Sequence, residues 1–171
     1  MTTILYFSPT GNARYLAGKL AASLGAETTE LLALEFTTPE NLAKRDELII
    51  LYSIHAFNPP RTVRRFVKQI PAGLFDTVGL IGVGCGDSWV NRAASSGLRK
   101  SLEKKGYSVS LDEIAAMPLT FIVAFPNETV EKLIISADEK IIRFAQTLKK
   151  REIHAKRISL WSYLIHFIGK A

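Results

Sequence analysis

Thr3-Ile-Leu-Tyr-Phe7, then Ser8-Pro9-Thr10-Gly11-Asn12, then Ala13 to Leu24 is the stretch that decides the fold. A short β-branched and aromatic run leads into a turn of small polar residues, after which Leu16, Leu20 and Leu24 recur at helical spacing. The reading is strand, turn, helix, with Gly25 closing the helix. The turn also carries chemistry. Ser8, Thr10 and Asn12 offer short polar side chains, Gly11 removes a Cβ that would hold backbone away from a ligand, and the amides opening a helix converge on an anion. The triphosphate loop's lysine and the three-glycine dinucleotide fingerprint are both lacking, so a mononucleotide phosphate is the preferred guest. The plain alternative is an ordinary turn in which Ser8 or Thr10 caps the helix.

The unit repeats outward from there. Residues 27–34 form a weaker strand, and Glu47-Leu-Ile-Ile-Leu-Tyr-Ser53 is a nearly continuous apolar run, as a strand covered on both faces requires. Ile54-His-Ala-Phe-Asn-Pro-Pro60 is a loop before a helix from Arg61 to Ile70. Thr77 to Val83 is a further buried strand, Gly84-Cys-Gly-Asp-Ser-Trp89 a third loop, and Ala93 to Lys105 a helix. A fifth strand over Tyr107 to Ala115 and a long amphipathic helix over Glu128 to Lys149 complete the pattern. Alternating strands and helices imply an α/β fold, a doubly wound five-stranded parallel sheet of order 2-1-3-4-5 with helices on both faces. Ligands in such sheets sit beyond the carboxyl ends of the strands, at the switch between strands 1 and 3. That rule selects the loops after Phe7, Ser53 and Val83.

Composition narrows the function classes. Cys85 is the single cysteine, which excludes an intramolecular disulfide framework and a cysteine-ligated iron–sulfur cluster. The first residues run straight into a strand without a basic leader, and no apolar run reaches the ~18–20 residues of a membrane span, so the expected location is cytoplasmic. The net charge of +6 is concentrated in the tail, where six lysines and arginines from Lys149 onward face Glu152 alone. The remainder shows no basic stripe interleaved with aromatics, so nucleic acid is not an expected partner. Cys85 as a redox catalyst has no activating neighbour in sequence; a small packing residue is the simpler reading.

Tyr6-Phe-Ser-Pro-Thr-Gly-Asn-Ala-Arg-Tyr15 resembles the opening of flavodoxin-like proteins, especially the flavodoxin half of flavodoxin–ferredoxin fusion proteins. Asp46 to Pro60 resembles the segment that packs beside the flavin in that family, and Gly84-Cys-Gly, Lys105-Gly-Tyr and Met117-Pro fall in family order. The resemblance covers residues 2–150 and implies an FMN-binding redox protein acting in electron transfer. It implies cofactor contacts from Ser8, Pro9, Thr10, Gly11, Asn12 and Ala13, from Ile54, His55, Ala56, Phe57 and Asn58, and from Gly84, Cys85, Gly86, Asp87 and Trp89. Ala13 stands where a hydroxyl residue commonly follows the asparagine, which removes one side-chain bond to phosphate. Phe57 and Trp89 are the candidates to stack on the flavin, and His55 to gate a proton near it.

Two domains of unequal weight follow: residues 1–150 as the flavodoxin-like unit, and 151–171 as a basic then apolar helical extension. In the extension Trp161, Leu164, Ile165 and Ile168 share a helical face behind a cationic collar. Packing on its own domain or on a second copy is the simpler role, and peripheral contact with an anionic membrane through 149–171 the alternative. Because the chain is basic, an acidic redox partner, iron–sulfur proteins included, suits it better than a cationic one. The functional alternatives are an FMN-dependent NAD(P)H quinone or nitro reductase, a protoporphyrinogen oxidase-like enzyme, and a non-redox binding module that has lost FMN.

Overall fold

The computed structural model describes residues 1–85, 91–118 and 125–151, together with the backbone of residues 154–155. In chain order the elements are β1 (Thr2–Phe7), α1 (Asn12–Leu24), β2 (Thr29–Ala33), β3 (Arg45–Ser53), α2 (Arg61–Gln69), β4 (Phe75–Gly84), α3 (Ser96–Glu103), β5 (Ser108–Ala116), α4 (Asn127–Lys149) and β6 (His154–Ala155). All pair in parallel, in the order β2-β1-β3-β4-β5-β6. The expected order 2-1-3-4-5 is present, extended by a two-residue sixth strand that sequence pattern did not signal.

Strand alternation divides the core in two. Along β3, Ile49 and Leu51 face the layer of α1 and α4 and pack with Leu16, Leu20, Ile141 and Phe144. Leu48, Ile50 and Tyr52 face the layer of α2 and α3 and pack with Val63, Phe66, Val67, Leu98 and Leu102. A strand buried on both faces has no polar side to display, which is why its sequence reads as an unbroken apolar run. Both layers are closed by helices running back from the carboxyl ends of the strands, so α1 and α4 end at the sheet's amino edge.

Some boundaries differ from the sequence reading. The second strand is shorter, Thr29–Ala33, because it is an edge strand paired only with β1 and flanked by short 3-10 turns at Ala26–Thr28 and Leu34–Phe36. The third helix, α3, starts at Ser96 rather than Ala93, since Ala94 and Ser96 donate their amides three residues back, to Asn91 and Ala93. Ser95 is drawn aside by a 2.5 Å hydrogen bond from its hydroxyl to the buried Asp112 carboxylate.

Candidate functional site

The first loop is built around a left-handed residue. Gly11 precedes α1 at φ 92°, a conformation that costs an L-residue ~1–2 kcal/mol, and a Cβ built there would meet nothing within 4 Å. The backbone therefore turns sharply and leaves open space in front of it. No side chain among the described residues caps α1, and its first turn contains no acidic residue. The capping alternative is thus not realised, and the opening amides of α1 remain available with the positive end of the helix dipole. Arg14, exposed in that first turn, adds a formal positive charge.

Individual side chains divide the work differently from their sequence reading. Ser8 Oγ is buried and has no hydrogen-bond partner among the described residues, a costly state unless a ligand atom completes it. Asn12 also braces the site: its Nδ2 donates to the Pro118 carbonyl at 2.9 Å, tying the first loop to the segment after β5. Ala13 is fully buried in the α1 core, so only its amide faces the turn's business. Thr10 is exposed at the loop's rim.

The second loop is pinned at its base and strained at its tip. Ile54 donates its amide to Val83 at 2.7 Å and lies across Gly82, where a Cβ would come within 2.9 Å of Ile54 Cδ1. Only glycine lets this loop sit so close to β4. His55 and Asn58 exchange both amide bonds, at 2.8 and 2.9 Å, around Ala56 and Phe57 at φ 45° and 63°. Left-handed alanine and phenylalanine cost ~1–3 kcal/mol each, and the double amide pair holds them there. Phe57 stands at the tip, 37% exposed. The His55 ring meets Phe7 edge-on, with centroids 6.5 Å apart.

Thr10, Asn12, Ile54, His55, Gly84 and Cys85 line one cleft of about 60 Å³ at the carboxyl edge of the sheet. Ser8, Pro9, Gly11, Ala13, Ala56, Phe57 and Asn58 border the same loops without lining it. Asn58 instead joins a separate cavity between α2 and α3. Gly86, Asp87 and Trp89 lie outside the described residues, as does the extension from 156 onward. The cleft also contains Ser53, Val83, Met117 and Pro118, which sequence reasoning did not assign to the site. Met117 donates its amide to Gly84 at 2.9 Å, closing the floor. The signal for Met117-Pro118 was available, since this pair directly follows a predicted strand whose carboxyl end belongs to the same edge.

Beneath the third loop is a buried polar anchor. Asp112 is 1% exposed and accepts from Ser95 Oγ and, at 3.0 Å, from Arg99 Nε. Burial and the Asp112 charge push the Tyr52 hydroxyl's pKa far up, which keeps that phenol neutral. This anchor fixes the start of α3 against β5. Among the described residues no group of His, Cys, Asp or Glu could hold a metal ion, and no helix is long and apolar enough to cross a membrane.

The residues present fit the phosphate end of FMN: an uncapped helix N-terminus, a left-handed glycine with open space before it, and a buried hydroxyl lacking a partner. The cleft of about 60 Å³ is small beside the roughly 300–1,000 Å³ that takes a whole small molecule, so it accounts for a head group and not for three fused rings.

No protein-family model and no curated protein matches the chain. Solved structures do. A short-chain flavodoxin associated with a non-canonical PDU bacterial microcompartment superposes with a TM-score of 0.62 at 18% identity, over 88% of this chain and 97% of that one. A Fusobacterium nucleatum flavodoxin bound to flavin mononucleotide gives 0.62 at 16% identity, over 88% and 98%. The oxidised flavodoxin 2 of Bacillus cereus gives 0.61 at 19% identity, over 88% and 98%. At these identities the likeness establishes one property, a flavodoxin-like α/β fold.

Proposed function

We propose that the chain binds FMN at the carboxyl edge of its sheet and works as an electron-transfer protein. The observation that carries this reading is the α1 N-terminus, left uncapped behind the left-handed Gly11 and beside the unpartnered Ser8 hydroxyl. Opening amides of α1 and Ser8 Oγ would hold the phosphate, while Thr10 borders it. Ile54 and His55 on one side and Gly84 and Cys85 on the other would flank the flavin, with Phe57 and Trp89 the candidate stacking rings. When bound, FMN supplies the chemistry of accepting and releasing electrons, and the chain supplies orientation and shelter from water. The Asn12–Pro118 hydrogen bond, which ties the first loop to the segment after β5, supports a site organised ahead of the cofactor.

The cationic run Arg61, Arg65 and Lys68 on the exposed face of α2, immediately after the second loop, supports an acidic redox partner approaching that edge. The resemblance of the opening segment to flavodoxin–ferredoxin fusion proteins supports an iron–sulfur protein in that role. Titrating the full chain into FMN and following flavin fluorescence tests the reading. Saturable quenching at micromolar cofactor is expected, together with slow NAD(P)H oxidation when a soluble quinone is added. Rapid steady turnover would reassign the protein to the reductases, and absence of quenching would leave it a non-redox module.

A further inference from the structure

A larger cavity, about 400 Å³, lies at the opposite, amino edge of the sheet. Its floor is made by the first residues of four strands, through Thr2 of β1, Glu47 of β3, Thr77 of β4 and Ser110 of β5. Leu24 and Leu148, from the last turns of α1 and α4, form apolar walls. The volume falls within the roughly 300–1,000 Å³ of small-molecule sites. Parallel pairing with β5 carries the chain at His154–Ala155 toward the other edge, away from this cavity.

One group in it is poorly satisfied. Among the described residues the half-buried Glu47 carboxylate accepts only three long hydroxyl bonds, from Thr77 at 3.4 Å and from Thr2 and Ser110 at 3.5 Å. No lysine or arginine among the described residues comes within ion-pairing distance of it, although Arg151 at the rim acts on it through space. Hydroxyls orient a carboxylate without neutralising it. Asp76 stands at the rim, and the carboxyl-terminal ends of α1 and α4 add negative dipole ends to the same space. Asp46, also at the rim, is already paired with the Met1 ammonium.

We propose that this cavity is a second ligand site, for a compact organic cation whose ammonium or guanidinium head pairs with Glu47. The head would replace three long neutral hydrogen bonds with a charge-assisted one, and the methylene body would lie against Leu24 and Leu148. Lys149 and Arg151 at the rim oppose entry of a bare cation, so Arg151 sets the affinity by repulsion as Glu47 sets it by attraction. The proposal is independent of the flavin site, at the far end of the same strands.

Agmatine and 1,5-diaminopentane are suitable probes, titrated into the full chain while the amide resonances of Glu47, Thr77 and Ser110 are followed by NMR, with a straight-chain dicarboxylate as the charge-reversed control. Saturable shifts with the amines and none with the dicarboxylate are expected. Glu47→Gln should weaken amine binding at least about tenfold, since a charge-assisted bond is lost. Arg151→Gly, which suits the left-handed backbone at φ 55°, should tighten it several-fold, as roughly 1 kcal/mol of repulsion is removed. Opposite effects from the two substitutions cannot arise from partial unfolding. The proposal is overturned by absence of saturable shifts at about 10 mM amine, a level below which no useful affinity remains. Equal amine affinity in wild type and Glu47→Gln overturns it too, as do shifts driven by the dicarboxylate instead.

Discussion

The two edges of the sheet carry opposite chemistry. At the carboxyl edge the cleft is small and stands beside the uncapped helix start behind Gly11; at the amino edge the cavity is larger, lined by hydroxyls and a carboxylate, and walled by helix ends. The difference follows from the fold. In a parallel sheet every crossover helix runs back along the strands, so helix amino termini gather at one edge and carboxyl termini at the other. Anions are favoured at the first edge and cations at the second. The chain adds its own choices to that polarity: Gly11 and Ser8 at one edge, Glu47 at the other.

The sharpest way to break the contrast is to put the wrong charge at the carboxyl edge. Gly11→Asp places a carboxylate where phosphate is proposed to sit, and aspartate tolerates a left-handed backbone better than most residues. FMN affinity should fall by about three orders of magnitude, like-charge contact costing several kcal/mol, while the melting temperature falls only slightly. Affinity within about tenfold of wild type would show that the phosphate lies elsewhere.

Next in size is the anchor beneath the third loop. Asp112→Ala leaves Arg99 without its buried carboxylate, and urea unfolding should show a loss of about 3 kcal/mol. A loss no larger than that of an exposed substitution would mean that Arg99 turns to Glu103, 3.5 Å away, and that the anchor is dispensable.

Smaller effects separate stability from binding within one residue. Ser8→Ala removes a buried hydroxyl that has no partner among the described residues, so stability should hold or rise by a few tenths of a kcal/mol. FMN binding should weaken about tenfold, the worth of one hydrogen bond to a charged group. A drop in stability with unchanged binding would assign Ser8 to the scaffold.

The smallest change belongs to the amino edge. Burial raises the Glu47 carboxyl above its ordinary 4.5, against weaker lowering by Thr77, Ser110, Thr2 and Arg151. The folded chain therefore holds that proton more tightly than the unfolded one, and stability is lost as pH rises through the raised value. Glu47→Gln has no such loss. It should match wild type near pH 4 and exceed it at pH 7 in thermal unfolding. A variant less stable at pH 7 than at pH 4, relative to wild type, would reverse the sign and place the carboxylate in a favourable field.

Sequence made the layers legible because burial on both faces leaves an unmistakable trace. Glu47 to Ser53 could only be a central strand, and Leu16, Leu20 and Leu24 could only line a helix face. It made the first loop legible through Gly11, whose φ of 92° explains the residue. Long-range partners were not legible. Asn12 reads from sequence as part of the first loop, and it lines the cleft, but its hydrogen bond to Pro118, 106 positions later, has no local trace. Ala13 looks like a missing hydroxyl until the core claims its methyl. Glu47 closes the charged run Lys44-Arg45-Asp46-Glu47 ahead of an apolar strand, with no local hint that Thr2, Thr77 and Ser110 arrive from three other strands. Local pattern reports which face is buried, and register alone reports who meets there.

The central claim is that the first loop holds a phosphate, and comparing FMN with riboflavin tests it most directly, because the two differ only in that group. Isothermal titration or fluorescence quenching of the full chain should give FMN an affinity at least about a hundredfold above riboflavin's, the worth of two charge-assisted hydrogen bonds. Equal affinities would contradict the account, since the uncapped start of α1, Gly11 and Ser8 would then contribute nothing to recognition.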